Sequence, residues 1–438
     1  MSFLRDSAYS MAARIWMAAA RGLCIVAISR ALGPADYGTY ALVLNTFVIA
    51  VLAGTMGLEQ ACTFTASKEP ERIAQMVRNA PWLALFLGLA AIVMFAPVAR
   101  LFQGRIFDPQ AVRLVWEALI FVPFAILNNQ FAGLAAGSGW FRYYAKTETF
   151  KWTLYLALSM LLVLLHRLDV RTGLLAFYAA VSVTALIHWK VFSARYRTAS
   201  VRPRGLDLVL ARQVLAYGMK VFSTSVVNLL NFRFDLYLVK YFRTPGEVGM
   251  YSLGMNLAEV LLYGARSVNL VIFSRVSADE RRSNHLTPAV SRLLLAGITA
   301  AVFVILVVKD AVIMKVFGDR FATCSNVVTL LLPGILAQSL TLLLVGDFLG
   351  KQDLGVVLYS GLLCFAVMVG LDLWWIPMWG VLGAAGASAI AYASQTALLL
   401  HRHASGQGLG VARYLLAGRD DWNLLRGRLR AARSGGVS

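Results

Sequence analysis

Pro34-Ala-Asp-Tyr-Gly-Thr-Tyr40 returns 211 residues later as Pro245-Gly-Glu-Val-Gly-Met-Tyr251. The offset pairs Pro34 with Pro245, Asp36 with Glu247, Gly38 with Gly249 and Tyr40 with Tyr251. It also pairs Asn45 with Asn256 and Gly139 with Gly350. A period of half the chain marks a duplicated architecture. The chemistry of the segment is that of a turn between helices: Pro ends one helix, an acid caps the next, and Gly-x-Tyr begins it at a membrane interface. These positions read as structural, not as a site.

Outward from both turns the chain is apolar. Of 438 residues, 59% are hydrophobic and 14% charged, and the mean hydropathy is +0.68. A soluble domain carries roughly a quarter charged residues, so this is a membrane protein. A hydrocarbon core of roughly 30 Å takes about 20 apolar residues per helix. On that measure the spans are 10–31, 38–60, 80–102, 114–136, 150–166, 173–193, 214–240, 248–272, 290–309, 325–349, 354–376 and 380–400. Pro81, Pro123, Pro333 and Pro377 fall inside or at the ends of spans, which a helix bundle accommodates. The first stretch carries Arg14 and Arg21, which a cleavable signal would not tolerate, so it is expected to be retained.

The fold class expected is therefore an all-α polytopic membrane protein of about twelve helices in two pseudo-symmetric six-helix lobes, 1–200 and 201–404, followed by a basic tail, 405–438. With six helices per half, the halves are parallel repeats about an axis along the membrane normal, an architecture of transporters. Lys and Arg are more than twice as frequent on the side holding both ends, which places both termini in the cytoplasm. The net charge of +19 thus belongs to short loops and the tail, not to a nucleic-acid-binding domain. In the tail, Trp422, Leu425 and Leu429 recur at helical spacing among arginines, the pattern of a helix lying on anionic lipid; a disordered basic tail fits equally.

Charge at mid-bilayer costs at least about 2.5–3.5 kcal/mol, so each buried charge needs a partner or a polar cavity. Arg14 and Arg21 lie two helical turns apart on one face of the first span, with Ser7 and Ser10 on the same stripe. In the seventh span Lys220, Thr224, Asn228, Asn231 and Asp235 also share one face. An offset of 210 superposes Thr224 on Arg14 and Asn231 on Arg21, so the leading helix of each half presents a polar stripe. In a parallel two-lobed architecture equivalent faces meet across a central cavity. The eighth span carries Asn256, Glu259, Tyr263 and Arg266, where Glu259 and Arg266 either pair across helices or join that cavity. The substrate-binding candidates are therefore Arg14, Arg21, Lys220, Asn228, Asn231 and Arg266, and the coupling candidates are Asp235 and Glu259.

Other polar groups read as bland. Arg233 and Lys240 lie opposite the stripe and are expected to snorkel. Glu59 and Asp347 sit near helix ends, while Glu117 and Asp372 lie beside tryptophans, so all four read as interfacial. The five histidines and four cysteines show no metal-ligand or disulfide spacing, and no Walker motif is present. No metal, cofactor or ATP hydrolysis is expected, and no extracytoplasmic loop is long enough to house glycan-polymerising chemistry.

The run Ser-Arg-Ala-Leu-Gly-Pro-Ala-Asp-Tyr-Gly-Thr-Tyr-Ala-Leu (29–42) resembles the first-loop signature of polysaccharide flippases, in the multidrug/oligosaccharidyl-lipid/polysaccharide (MOP) exporter superfamily. Phe-Arg-Phe-Asp-Leu-Tyr-Leu-Val (232–239), Glu-Val-Gly-Met-Tyr-Ser-Leu (247–253) and Trp-Gly-Val-Leu-Gly-Ala-Ala-Gly-Ala-Ser (379–388) are similar too, so the resemblance covers roughly residues 10–400. It implies two lobes with alternating access, and translocation of undecaprenyl-pyrophosphate-linked oligosaccharide across the bacterial inner membrane for O-antigen, capsule or exopolysaccharide. Asp235 matches a position where such proteins commonly carry Asp. The partners implied are the lipid-linked oligosaccharide, anionic lipids, other glycan-assembly proteins, and H+ or Na+ as the candidate coupling ion. The chain departs from drug antiporters in lacking a clear buried carboxylate cluster in its first half. A cation-coupled small-molecule exporter and a membrane glycan polymerase or ligase are the competing readings.

Overall fold

A computed structural model describes residues 2–196, 207–278 and 283–415. Within them the chain is helical, with no strand beyond a single bridge between Gln103 and Phe107. The helices are α1 (Ser2–Thr55), α2 (Leu58–Lys68), α3 (Ile73–Leu101), α4 (Pro109–Ile120), α5 (Val122–Gly137), α6 (Phe141–Leu164), α7 (Val170–Arg195), α8 (Leu208–Phe242), α9 (Pro245–Ala258), α10 (Leu262–Ala278), α11 (Ser283–Val312), α12 (Thr323–Gly350), α13 (Leu354–Trp379), α14 (Val381–Gly406) and the short α15 (Ala412–Leu415). The helical surface suggested for residues 419–433 lies outside the described residues.

Among the described residues seven helices are long and apolar enough to cross a bilayer, or eight when α4 and α5 count as one bent span. The first of these, Ala12–Thr55, contains two expected spans. At 1.5 Å per residue it would be about 66 Å long if straight, twice the hydrocarbon thickness. It is not straight. Trp16 Nε1 donates to Thr153 Oγ1 (2.9 Å), and Tyr40 meets Tyr155 hydroxyl to hydroxyl (2.5 Å). A straight helix would hold Trp16 and Tyr40 about 36 Å apart, yet they touch residues two apart on α6. The chain therefore folds back, and it does so at Gly33, whose φ of 74° and ψ of 175° are non-helical. A positive φ there is natural to glycine alone.

Two of the other spans are broken. Pro123, near the start of α5, cannot donate a hydrogen bond into α4, and the two helices bend by 44°. A 3-10 turn over Glu259–Leu261 separates α9 from α10 within the eighth span. Counting α1 twice and α4–α5 and α9–α10 once each, and leaving out the short α2 and α15, recovers the twelve spans. The helices α6, α8 and α14 have the length to span but carry polar residues.

By packing, the chain divides into a first unit, Met1–Ser252 with Val316–Arg320, and a second, Leu253–Lys315 with Phe321–Ser438. The leading helix of the second sequence repeat, α8, thus packs within the first unit.

The duplicated heptapeptides meet there. A methyl group on Gly38 would enter the van der Waals sphere of the Pro245 carbonyl oxygen and lie 2.8 Å from Gly249 N; one on Gly249 would enter that of the Pro34 carbonyl oxygen and lie 3.0 Å from Gly38 N. Glycine is required at both positions because backbone meets backbone, with no side chain to yield. Thr244 and Glu247 close the second turn as a capping box: Thr244 N donates to Glu247 Oε2 (3.2 Å) and Glu247 N donates to Thr244 Oγ1 (3.3 Å). Gly33 stands where the first copy would carry that threonine. Gly38→Val is expected to destabilise the protein by about 3 kcal/mol, the upper range for overpacking. Gly22→Ala, with nothing within 4 Å of the added methyl, should leave stability equal or slightly raised. Thermal unfolding of both variants in detergent checks the contrast; equal midpoints would mean the contact yields easily.

Candidate functional site

Polar side chains in spanning helices converge in the first unit on a cavity of about 270 Å³. The returning arm of α1 contributes Phe47, Val51 and Thr55, and the start of α2 contributes Glu59 and Gln60. Opposite them stand Asn128 and Asn129 of α5, Lys151 and Trp152 of α6, Phe177 of α7 and Ser225 of α8. The helix break that aims Glu59 is set by Met56 (φ 44°) and Gly57 (φ 75°), which end α1 and restart the chain as α2. Pro123 opens α5, the helix that holds the two asparagines.

The charges are partly committed. Lys151 Nζ lies 2.6 Å from Glu148 Oε1, one helical turn away, and both side chains are largely buried. Glu59 lies in the field of that pair. Asn128 is 3% exposed; its Nδ2 reaches Asn129 Oδ1 at 3.5 Å, while its own Oδ1 has no hydrogen-bond partner among the described residues. Buried amides left so are uncommon in folded proteins. Arg21, half-buried on α1, holds its guanidinium carbon 5.8 Å from the centroid of the Trp152 ring, a cation–π contact at the cavity wall.

The other sequence-derived candidates fall in different places. Arg14 is exposed, two turns before Arg21 and within electrostatic reach of Tyr144 on α6. The side chains of Lys220, Thr224, Ser7 and Ser10 lie outside the described residues. On α8, Asn228 is exposed while Ser225, one turn earlier, reaches the cavity. Asn231 and Asp235 are buried. The Asp235 carboxylate accepts from the Tyr251 hydroxyl and from Leu236 N (2.7 Å), tying α8 to the repeat tyrosine of α9. Arg266 and Glu259 belong to the second unit: Arg266 is exposed with its guanidinium over the Tyr263 ring (5.7 Å), and Glu259 opens the 3-10 turn. Neither lines the cavity of the first unit.

The second unit has a polar centre of its own. Asp347, expected at an interface, is fully buried. Its Oδ1 lies 2.7 Å from Lys351 Nζ and 3.0 Å from His403 Nε2, and its Oδ2 accepts from Thr287 Oγ1 at 2.5 Å. His403 Nδ1 meets the Tyr414 hydroxyl at 2.7 Å. Burial, and then the Asp347 charge, push the Tyr414 phenol up to about 12, so it is protonated at neutral pH. Ser291 Oγ donates to the Tyr414 carbonyl oxygen (2.9 Å), fastening α15 to α11. No group of three His, Cys, Asp or Glu is placed to hold a metal among the described residues.

Sequence reasoning passed over Asn128, Asn129, Lys151 and Trp152. The available signal was Asn128-Asn129-Gln130, three consecutive amides inside an otherwise apolar span.

Residues 3–277 match the polysaccharide biosynthesis protein family. A protein of Haloferax volcanii described as a probable low-salt glycan biosynthesis flippase, Agl15, is 23% identical over 419 residues, covering 92% of this chain and 83% of its own. Among solved structures, the lipid II flippase MurJ in an inward closed conformation superposes with a TM-score of 0.76 at 14% identity, over 94% of this chain and 89% of that one. An inward-facing multidrug resistance MATE family transporter of the MOP superfamily gives 0.72 at 15% identity, over 89% and 94%. At such identities the structural likeness concerns the fold, a multi-pass helical one of the MOP type.

Proposed function

This chain belongs to the polysaccharide biosynthesis protein family, and on that premise we propose that it is a flippase moving lipid-linked oligosaccharide across a bilayer by alternating access. The finer reading is undecaprenyl-pyrophosphate-linked oligosaccharide crossing the bacterial inner membrane, for O-antigen, capsule or exopolysaccharide, with both termini in the cytoplasm. The observation that carries it is Arg21, a guanidinium seated over an aromatic ring at the wall of a polar cavity between spanning helices. A fixed cation at such a place favours an anionic head group and serves no purpose toward lipid tails.

In this reading Arg14 and Arg21 receive the diphosphate, and Lys220, Asn228, Asn231 and Arg266 are the further substrate-binding residues. Asp235 and Glu259 are the coupling carboxylates, taking H+ or Na+. Glu259 suits that role because a 3-10 turn inside a span frequently marks a hinge. The two six-helix lobes are residues 1–200 and 201–404, and the tail from 405 meets anionic lipid. The Haloferax relative's description supports glycan transport, and the relatives' transporter names favour a carrier over an enzyme.

The test is the sidedness of lipid-linked units in a deletion strain. Flippase loss should leave complete units trapped on the cytoplasmic leaflet. Short units accumulating on the outer leaflet would instead make the protein a polymerase or ligase. Normal surface glycan with lost drug resistance would make it a small-molecule exporter.

A further inference from the structure

The cavity of the first unit has a chemistry that the diphosphate reading does not use. Its charged lining consists of Glu59 and Lys151, and Lys151 is already paired with Glu148 at 2.6 Å. Glu148 thus already occupies the one ammonium of the lining, which leaves the lining no uncommitted cation for phosphate among the described residues. The rest of the polar lining is neutral: Gln60, Asn128, Asn129 and Ser225. Three aromatic rings, Phe47, Trp152 and Phe177, complete the wall.

Each part of this set matches one ligand class. A sugar hydroxyl both donates and accepts, which is the capacity that an amide or carboxylate side chain complements. The C–H face of a pyranose packs on an aromatic face whose quadrupole is negative. A purely apolar guest would leave the amides and Glu59 desolvated with no partner in the ligand, a cost that a sugar hydroxyl avoids. The volume, about 270 Å³, falls just under the roughly 300–1,000 Å³ of drug-sized pockets, so the space suits a single ring and not a chain. Asn128 supplies the independent sign: an amide 3% exposed, on the cavity wall, whose Oδ1 has no partner among the described residues. A leucine would fill that place in a spanning helix at no polar cost.

We infer that this cavity is a sugar subsite that takes one uncharged or amino-bearing pyranose of the glycan, with the diphosphate held apart from it by arginine. The inference rests on the flippase reading above. Glu59 is then a selectivity residue that disfavours uronic acids, Asn128 and Asn129 pair with ring hydroxyls, and Trp152 serves two partners, the sugar and the Arg21 guanidinium.

The test titrates the full-length protein in detergent micelles with three short-chain polyprenyl diphosphates: sugar-free, bearing one N-acetylglucosamine, and bearing one glucuronic acid. The N-acetylglucosamine probe is expected to bind at least about ten-fold more tightly than either of the others. Asn128→Leu and Trp152→Ala should each cut the ratio of sugar-bearing to sugar-free affinity to near one, while Glu59→Gln should raise affinity for the glucuronic acid probe. Should Trp152→Ala not fold, the Asn128→Leu ratio and the Glu59→Gln gain decide the matter. Binding of all three probes with equal affinity by the wild-type protein, or an unchanged ratio in Asn128→Leu together with no gain in Glu59→Gln, overturns the subsite but leaves the flippase reading intact. Failure of the wild-type protein to bind any probe overturns both.

Discussion

Arg21→Ala is expected to reduce translocation of lipid-linked glycan by at least about thirty-fold, while the protein still inserts and folds. Removing one partner of a desolvated charge contact with a ligand costs about 2–5 kcal/mol, and about 2 kcal/mol is already a thirty-fold change. The variant is still expected to fold, because Arg21 is half-buried and its truncation opens no sealed void; its contact with the Trp152 ring at 5.8 Å contributes about 0.5–2 kcal/mol. Arg21→Lys keeps the charge but loses the planar fork, and should fall between the two. Surface glycan in a null background, set beside the melting temperature of the purified variant, separates transport from folding. Normal glycan with Arg21→Ala would remove this arginine from the site.

Asp347→Ala should have the largest effect on stability. It strips the counter-charge from Lys351 and the acceptor from His403 and Thr287 in a fully buried place. Breaking a buried ion pair from one side costs about 3–5 kcal/mol, enough to abolish accumulation of a marginally stable protein. Neutralising both partners is a different matter. The double variant Asp347→Asn with Lys351→Met leaves no unpaired charge, and is expected to recover more than half of the loss. The check is the amount of monodisperse protein recovered by size exclusion, with unfolding midpoints where protein is obtained. A double variant no better than Asp347→Ala would show that the hydrogen bonds to Thr287 and His403 matter more than the ion pair.

Much of the fold was legible in residues because bilayer physics is a strong constraint. Runs of apolar residues near twenty long gave the spans, and Pro34-Ala-Asp-Tyr-Gly-Thr-Tyr40 with its copy gave the turns. What composition hides is position within a long helix. Residues 141–149 looked like a loop because Arg142, Lys146 and Glu148 interrupt the apolar run, yet α6 begins at Phe141 and carries Lys151 and Trp152 to the cavity. Amides drew attention in the spans only where they shared a helical face with charge, as Asn228 and Asn231 do, so Asn128 and Asn129 passed unnoticed although a buried amide is nearly as informative as a buried ion. Asp347 was legible in principle: Lys351 follows at the i, i+4 spacing of a helical ion pair. Its burial was not, because that depends on His403 and Thr287, which are distant in sequence.

The meeting of the two heptapeptides has a further meaning. Gly38 packs on Pro245 and Gly249 on Pro34, so each copy offers the other what it receives. That is the mark of an isologous interface, the kind formed by two identical subunits about a dyad. A chain of half this length, pairing with a second copy of itself, would make the same contact twice. In this single chain the two contacts are made by different residues. A bulkier residue at Gly38 can be relieved only by movement of Pro245, and one at Gly249 only by movement of Pro34. At this joint the two halves of one chain are under the constraint of a homodimer.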